Sequence, residues 1–229
     1  MIGDHAGCGI PQGLGDLGLA PPDLVRHIAW DIGVAALGRS LSQRLDAVFV
    51  AQTWSRLVID CNRDPDATDA VPAISDGTEI PGNVDLTPSD RASRIAEIHL
   101  PYQTAIGREI ERRSTVGQPT ILVSLHSFTP AMKGFQRPWD AGVLHDRGDN
   151  RFALSMLNAM RRDPGLVIGD NEPYHMDSID HTIPRHAYPA DLPYVELEIR
   201  QDHLGADVGV ALWAGRIDRW LREAQAETS

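Results

Sequence analysis

The chain has 229 residues, 42% of them hydrophobic and 23% charged, which fits one soluble globular domain with a real core rather than a disordered or disulfide-stapled chain. Acidic residues outnumber basic ones 32 to 21, for a net charge of -11, and no local basic cluster is visible, so nucleic acid is excluded as the expected partner. Apolar runs such as "TILVSL" at 120–125 are far too short to span a bilayer, and the first residues lack a basic segment and a hydrophobic stretch, so a cytoplasmic location is expected, with no membrane contact.

The opening "MIGDHAGCGIP" (1–11) sets an Asp, a His and a Cys among turn-forming residues. Cys8 and Cys61, the only cysteines, are read as reduced thiols without a disulfide. "PDLVRHIAWDIGVAALGRSLSQRL" (22–45) begins with helix-starting residues and predicts an amphipathic helix whose apolar stripe includes Leu24, Ile28, Asp31, Ile32, Ala35 and Ala36. "DAVFVAQ" (46–52) and "RLVIDCN" (56–62) predict short strands, followed by a Pro/Gly/Asp-rich loop over 63–83. A loop of that length is often functional. A helical stretch covers about 88–114, with a break or kink expected near Pro101.

"PTILVSLHSF" (119–128) reads as a strand buried on both faces. After it come strands at 141–146 and 165–170 around a helix at 151–162, then a strand at 193–202 and a closing helix at about 208–226. Alternating strands and helices predict an α/β layer sandwich with a largely parallel sheet, in one domain over 1–229 and without internal repeats.

Open α/β sheets bind ligands beyond the carboxyl ends of their strands, so polar residues at those ends are the first candidates. The 119–128 strand delivers His126 and Ser127, the 56–62 strand Asn62 and Arg63, and the 193–202 strand places Glu196, Glu198 and Arg200 on one face. His126 alone fits a hydrogen-bonded core histidine as well as a ligand. Asp31, on an apolar stripe, requires a cation, a metal or several donors, and His27 one turn earlier offers the plain salt-bridge alternative. His5, Asp31 and His126 form a zinc-type set of three ligands that leaves a fourth position open, although their spacing makes no compact motif. Beside such a metal, Glu198 would act as general base and then acid in amide hydrolysis; without one it is half of a Glu/Arg pair. Arg63, Arg137 and Arg200 suit a substrate carboxylate, or equally any of the many acidic residues. A Ser127/His126 nucleophile pair is geometrically poor, because adjacent strand residues face opposite ways.

Together the segments "DHAGCGIP", "LGDLGL", "HIAWDIG", "SRLVIDCNR", "SDGTEIPGN", "SLHSFTP", "RPWDAGVL", "GDNEPY", "HA" at 186–187 and "VELEIRQD" resemble, in order, the N-formylglutamate amidohydrolase family over nearly the whole chain. The resemblance implies a three-layer α/β/α sandwich similar to the zinc-dependent exopeptidases and cell-wall amidases. It also implies hydrolysis of an N-formyl or related N-acyl amide on an acidic amino acid, such as N-formyl-L-glutamate, with one zinc ion. Residue by residue, His126 matches the late histidine ligand and Glu198 the catalytic glutamate. "DCNR" resembles the Asn-Arg stretch of aspartoacylase-like relatives, which places Asn62 and Arg63 at the substrate, with Ser127, Arg137 and Arg200 as further substrate-side candidates and Arg56 polarising the scissile carbonyl. Cys8 stands where those relatives carry a glutamate, so the cell-wall amidase pattern, an isolated His in a Gly-rich turn followed by an acidic ligand, is the better guide to His5 and Asp31. The apolar strand that family members place ahead of this turn is here only "MIG". Another N-acyl amino acid or a peptidoglycan-type amide, and a weakly catalytic binding homologue, are the alternative readings; self-association is left open.

Overall fold

The computed structural model describes residues 1–228. Its central sheet is built from β1 (Ile2–Gly3), β2 (Val50–Ala51), β5 (Leu122–Phe128), β8 (Ala141–Leu144), β9 (Ile168–Asp170) and β10 (Tyr194–Arg200), in the order β2-β1-β5-β10-β8-β9. All pairings are parallel except β10 with β8. Two hairpins stand apart from it: β3 (Ile74–Ser75) with β4 (Thr78–Glu79), and β6 (Ala131–Met132) with β7 (Phe135–Gln136).

The helices are α1 (Val34–Leu45), α2 (Pro88–Arg94), α3 (Leu100–Thr115), α4 (Arg151–Arg161), α5 (Thr182–His186) and α6 (Asp207–Thr228). On one face of the sheet α1, α4 and α6 bury Leu37, Leu41, Phe152, Met156, Trp213 and Trp220 against Val195 and Leu197. On the other, α3, α5 and the irregular segment after β2 bury Tyr102, Ile106, Ile183, Leu57 and Ile59 against Leu122 and Tyr194. The three-layer α/β/α architecture with a mostly parallel sheet is therefore as the sequence predicts. β5 is buried over its whole length, as a strand covered on both faces must be.

Three local expectations are corrected. The helix predicted from residue 22 begins only at Val34: Asp23–Val25 form a single 3-10 turn, and Gly33 has the left-handed φ of +86° with Leu204 packed where a Cβ would sit. Asp31 thus lies in a turn ahead of α1, tied by its backbone N–H to the His5 carbonyl at 2.8 Å. The strand predicted over 56–62 is absent. Leu57, Val58, Ile59 and Cys61 are buried, but side chains satisfy much of their backbone: Asn83 donates to the Leu57 carbonyl, Arg94 to Val58 and Gln103 to Cys61, at 2.8–2.9 Å. Only Val50 and Ala51 of the predicted 46–52 strand pair. The irregularity expected near Pro101 is present: the π turn Ile95–His99 joins α2 to α3 immediately ahead of it.

The two-residue β1 lies in the interior of the sheet, pairing with β2 and β5 at once. The chain goes from β1 through α1 to β2 on one side, and later returns to β5 on the other. The crevice at the carboxyl ends of β1 and β5 is thus the topological switch point, where such sheets bind ligands.

On the outer layer, His186 at the end of α5 places Nε2 2.7 Å from Gln103 Oε1, which requires a proton on that nitrogen. Burial, reinforced by Arg185 and His181 and opposed by Asp4, lowers its pKa to about 4. The unfolded chain therefore takes up the second imidazole proton first, and the contribution of His186 is present above pH 6.5 and is lost as the pH falls toward 4. Denaturant titrations of the wild type and His186→Gln should show a stability difference that shrinks over this interval; a pH-independent difference contradicts the assignment.

Candidate metal centre and cleft

The turn after β1 carries Asp4 and His5, both buried. Its path depends on Gly7, where a Cβ would lie 2.1 Å from the Thr53 carbonyl oxygen. Asp31 reaches the same place from the turn before α1, and His126 from β5. The ligand-capable atoms of His5, Asp31 and His126 lie within 4.8 Å of one another, and all three residues are buried. The sequence-predicted set is thus brought to one point at the switch-point crevice.

Both imidazoles present Nδ1 to Asp31. His126 Nδ1 is 2.8 Å and His5 Nδ1 3.5 Å from Asp31 Oδ2. Each ring is held from behind through Nε2: that of His5 lies 2.7 Å from Asp60 Oδ1, and that of His126 lies 3.1 Å from Ser124 Oγ and 3.4 Å from Asp4 Oδ2. A carboxylate behind a histidine fixes its tautomer and its orientation and raises its basicity as a metal ligand. His5 Nδ1 is buried without a hydrogen-bond partner. Two imidazole nitrogens and one carboxylate oxygen suit a zinc-type divalent ion in a site with an open position.

The electrostatics agree with a cation-binding role. Burial alone would raise the pKa of Asp4, Asp31 and Asp60, yet all three are lowered because histidine and Arg56 charges outweigh desolvation. Burial and Arg56 pull His5 down, but Asp60 and Asp31 outweigh them and its pKa rises. His126 is likewise raised against burial, by Glu196, Asp31 and Asp4. Three ionised carboxylates therefore surround two rings that compete for positive charge.

The centre opens into a cleft of about 600 Å³. Arg56 lines it, 2.6 Å from Asp60 Oδ2 and 3.7 Å from Asp31 Oδ1. Glu198 and Glu196 line it from β10, both buried and each with an Oε2 atom lacking a hydrogen-bond partner. Burial raises the pKa of each, with His126 as the main opposing charge.

Of the substrate-side candidates, Asn62, Arg63 and Ser127 line the cleft, and Arg137 and Arg200 do not. Asn62 has both ends of its amide engaged: Oδ1 accepts from the backbone of His181 and Thr182 at the start of α5, and Nδ2 donates to Asp180. Arg63 donates to the Asn62 and Ile179 carbonyls and faces Asp69 and Asp180. The Ser127 hydroxyl donates to the Ile32 carbonyl at 2.9 Å, which anchors the turn carrying Asp31. Arg200 does not line the cleft; it pairs with Asp140 and Asp202. His27 pairs with Asp76 rather than Asp31. Arg137 is buried and donates to the Thr129 carbonyl and the Tyr174 hydroxyl. Both cysteines are free thiols.

Sequence reasoning missed Asp4, Asp60 and Tyr174. Asp60 carried a usable signal, an acidic residue at the end of the apolar run "RLVID", which demands a buried partner. Asp4 was hidden by its neighbour, since nothing local says that it reaches across to β5.

Fold and cleft define a mixed α/β protein of mostly parallel sheet with a buried His-Asp-His centre at the switch point of that sheet. The N-formylglutamate amidohydrolase family model matches residues 1–204, and the chain belongs to that family. It is similar to the crystal structure of gene product Atu2144 from Agrobacterium tumefaciens, at 36% identity and a TM-score of 0.96, over 99% of this chain and 90% of that one. An N-formylglutamate amidohydrolase from Ralstonia eutropha JMP134 shares the fold at 21% identity and a TM-score of 0.70, over 98% of this chain and 92% of that one. No curated protein sequence matches the chain. No helix among the described residues is long and apolar enough to cross a membrane.

If Asp60 and Asp4 orient the two histidines, Asp60→Asn and Asp4→Asn should each weaken zinc affinity by roughly 10–100-fold, read by competition with a chromophoric chelator. Unchanged affinity in both variants contradicts this arrangement.

Proposed function

We propose that the protein is a metal-dependent hydrolase of the N-formyl or related N-acyl amide of an amino acid, with N-formyl-L-glutamate as the reference substrate of its family, yielding formate and the free amino acid. The observation that carries the reading is the convergence of His5 Nδ1 and His126 Nδ1 on the Asp31 carboxylate, each ring backed by a further carboxylate.

His5, Asp31 and His126 would hold one zinc-type ion, which when bound supplies Lewis acidity toward the amide carbonyl and lowers the pKa of water. Glu198 is the proton carrier. Its raised pKa brings it toward the neutral range in which a carboxylate both accepts and returns a proton. It takes the proton from the attacking water and delivers it to the departing amide nitrogen. Arg56, rigid between Asp60 and Asp31, directs its guanidinium at the charge that develops on the carbonyl oxygen. Arg137 holds Tyr174, which lines the cleft, by its hydroxyl. Asn62, Arg63 and Ser127 shape the cleft through the contacts described above.

Purified protein should bind about one zinc ion per chain and lose both metal and turnover in His126→Ala. Glu198→Gln should retain the metal and lose about a hundredfold or more in kcat. A metal-free protein whose His126→Ala variant still deformylates N-formylglutamate contradicts the reading.

A further inference from the structure

A network of side chains that the mechanism above does not employ runs from the metal centre into the layer formed by α3 and α5. Asp4, Thr182 and Gln103, its inner members, are buried. The Asp4 carboxylate, ionised as described above, can only accept. Its Oδ2 lies 3.3 Å from Ser124 Oγ and 3.4 Å from His126 Nε2, and Ser124 Oγ is 3.1 Å from that same nitrogen. Its Oδ1 accepts the Thr182 hydroxyl of α5 at 2.6 Å.

Each further link has only one possible direction. The Thr182 hydroxyl has a single proton, and the carboxylate at 2.6 Å outcompetes the Cys61 carbonyl at 3.3 Å for it. Thr182 Oγ1 therefore accepts from Gln103 Nε2 at 3.1 Å. The Gln103 amide is oriented independently, because the same Nε2 donates to the Cys61 carbonyl at 2.8 Å. Gln103 Oε1 is left to accept from His186 Nε2 at 2.7 Å. His186, half-buried in the "HA" segment at 186–187, has no task in the mechanism. Its proton and those of Gln103 and Thr182 all point inward, and the chain ends on Asp4. From the other side the His126 Nε2 proton meets Ser124 Oγ and Asp4 Oδ2, which leaves the lone pair of His126 on Nδ1, the atom that faces Asp31.

The carboxylates behind the two histidines are supported differently. Asp60, behind His5, accepts from Arg56 at 2.6 Å and from the Asn62 backbone N–H at 2.9 Å. Asp4, behind His126, pairs with no arginine or lysine among the described residues and depends on neutral hydroxyl donors. Thr182 makes the shorter of these bonds, and its own backbone N–H is held by Asn62 Oδ1 at 2.9 Å.

We propose that Thr182, Gln103 and His186 are positioning residues for the metal centre, a one-way chain of donors that holds the Asp4 carboxylate in place and through it sets the tautomer and orientation of His126 as a ligand. The proposal rests on the metal-dependent reading above, and its test reads metal binding rather than turnover.

Zinc affinity, measured by chelator competition, and the visible bands of the cobalt(II)-substituted protein report the ligand set. Thr182→Val, which keeps the shape and removes the hydroxyl, should weaken zinc by about tenfold or more and shift the cobalt bands, and Thr182→Ser should restore both. Gln103→Met and His186→Leu should weaken zinc by smaller factors in that order, whereas His186→Gln, which can still donate to Gln103, should match the wild type. Wild-type affinity and spectrum in Thr182→Val overturn the proposal, as does a loss that Thr182→Ser fails to restore. If Thr182→Val does not fold, Gln103→Met carries the test, and unchanged affinity there is the contradicting result. Equal losses in His186→Leu and His186→Gln remove His186 from the chain. A wild-type protein that binds no zinc removes the metal-dependent reading and the proposal with it.

Discussion

One buried carboxylate, that of Asp31, organises the site. It meets the Nδ1 atoms of two histidines from different parts of the chain and lies within 3.7 Å of Arg56. A carboxylate this buried is unfavourable unless several groups compensate it, and the surrounding structure consists largely of those groups. The Asp31 backbone is tied to His5, the Ser127 backbone N–H approaches Asp31 Oδ2 at 3.3 Å, and the Ser127 hydroxyl secures Ile32. Gly33 then turns the chain left-handed so that α1 can start immediately afterwards. Fold and candidate centre are thus coupled: β1 and β5 are neighbours in the sheet, and the residues at their carboxyl ends converge on the Asp31 turn.

A second layer of acids gives the centre its direction. Asp60 and Asp4 occupy the far nitrogens of the two imidazoles, so the near nitrogens face inward together. Asp4 in turn accepts from Thr182 at 2.6 Å, and Thr182 accepts from Gln103 at 3.1 Å, which extends the ordered donors into α3 and α5. Such layered support holds ligands within the small tolerance that metal binding and catalysis require.

Much of this was legible in the amino-acid sequence, and the parts that were not share a cause. Long elements with a clear apolar signal fall where they are predicted: β5 and β10 as strands buried along their length, α4 and α6 as helices that pack an apolar side against the sheet. The candidate ligands His5, Asp31 and His126 were likewise visible as polar residues among apolar or turn-forming neighbours. The segment 56–62 was misread because an apolar run signals burial and not backbone pairing; here side chains from Asn83, Arg94 and Gln103 take the place of a neighbouring strand. Asp31 was assigned to a helix because residues 22–32 happen to carry a helical stripe, which one glycine overrides. Asp4 and Asp60 depend on partners that only the fold brings near, and the commitment of Arg63 and Arg200 to acidic partners could not be read from an arginine in isolation.

The central claim is that the ion, when bound, is held by His5 Nδ1, His126 Nδ1 and one oxygen of Asp31. The most direct measurement is the anomalous difference map of a zinc-soaked crystal. The account predicts a single strong peak at about 2.0–2.2 Å from those three atoms, with no sulfur ligand and with Asp60 and Asp4 outside bonding distance. A peak bound through Cys8 or Cys61, or one that leaves either histidine uncoordinated, would contradict it.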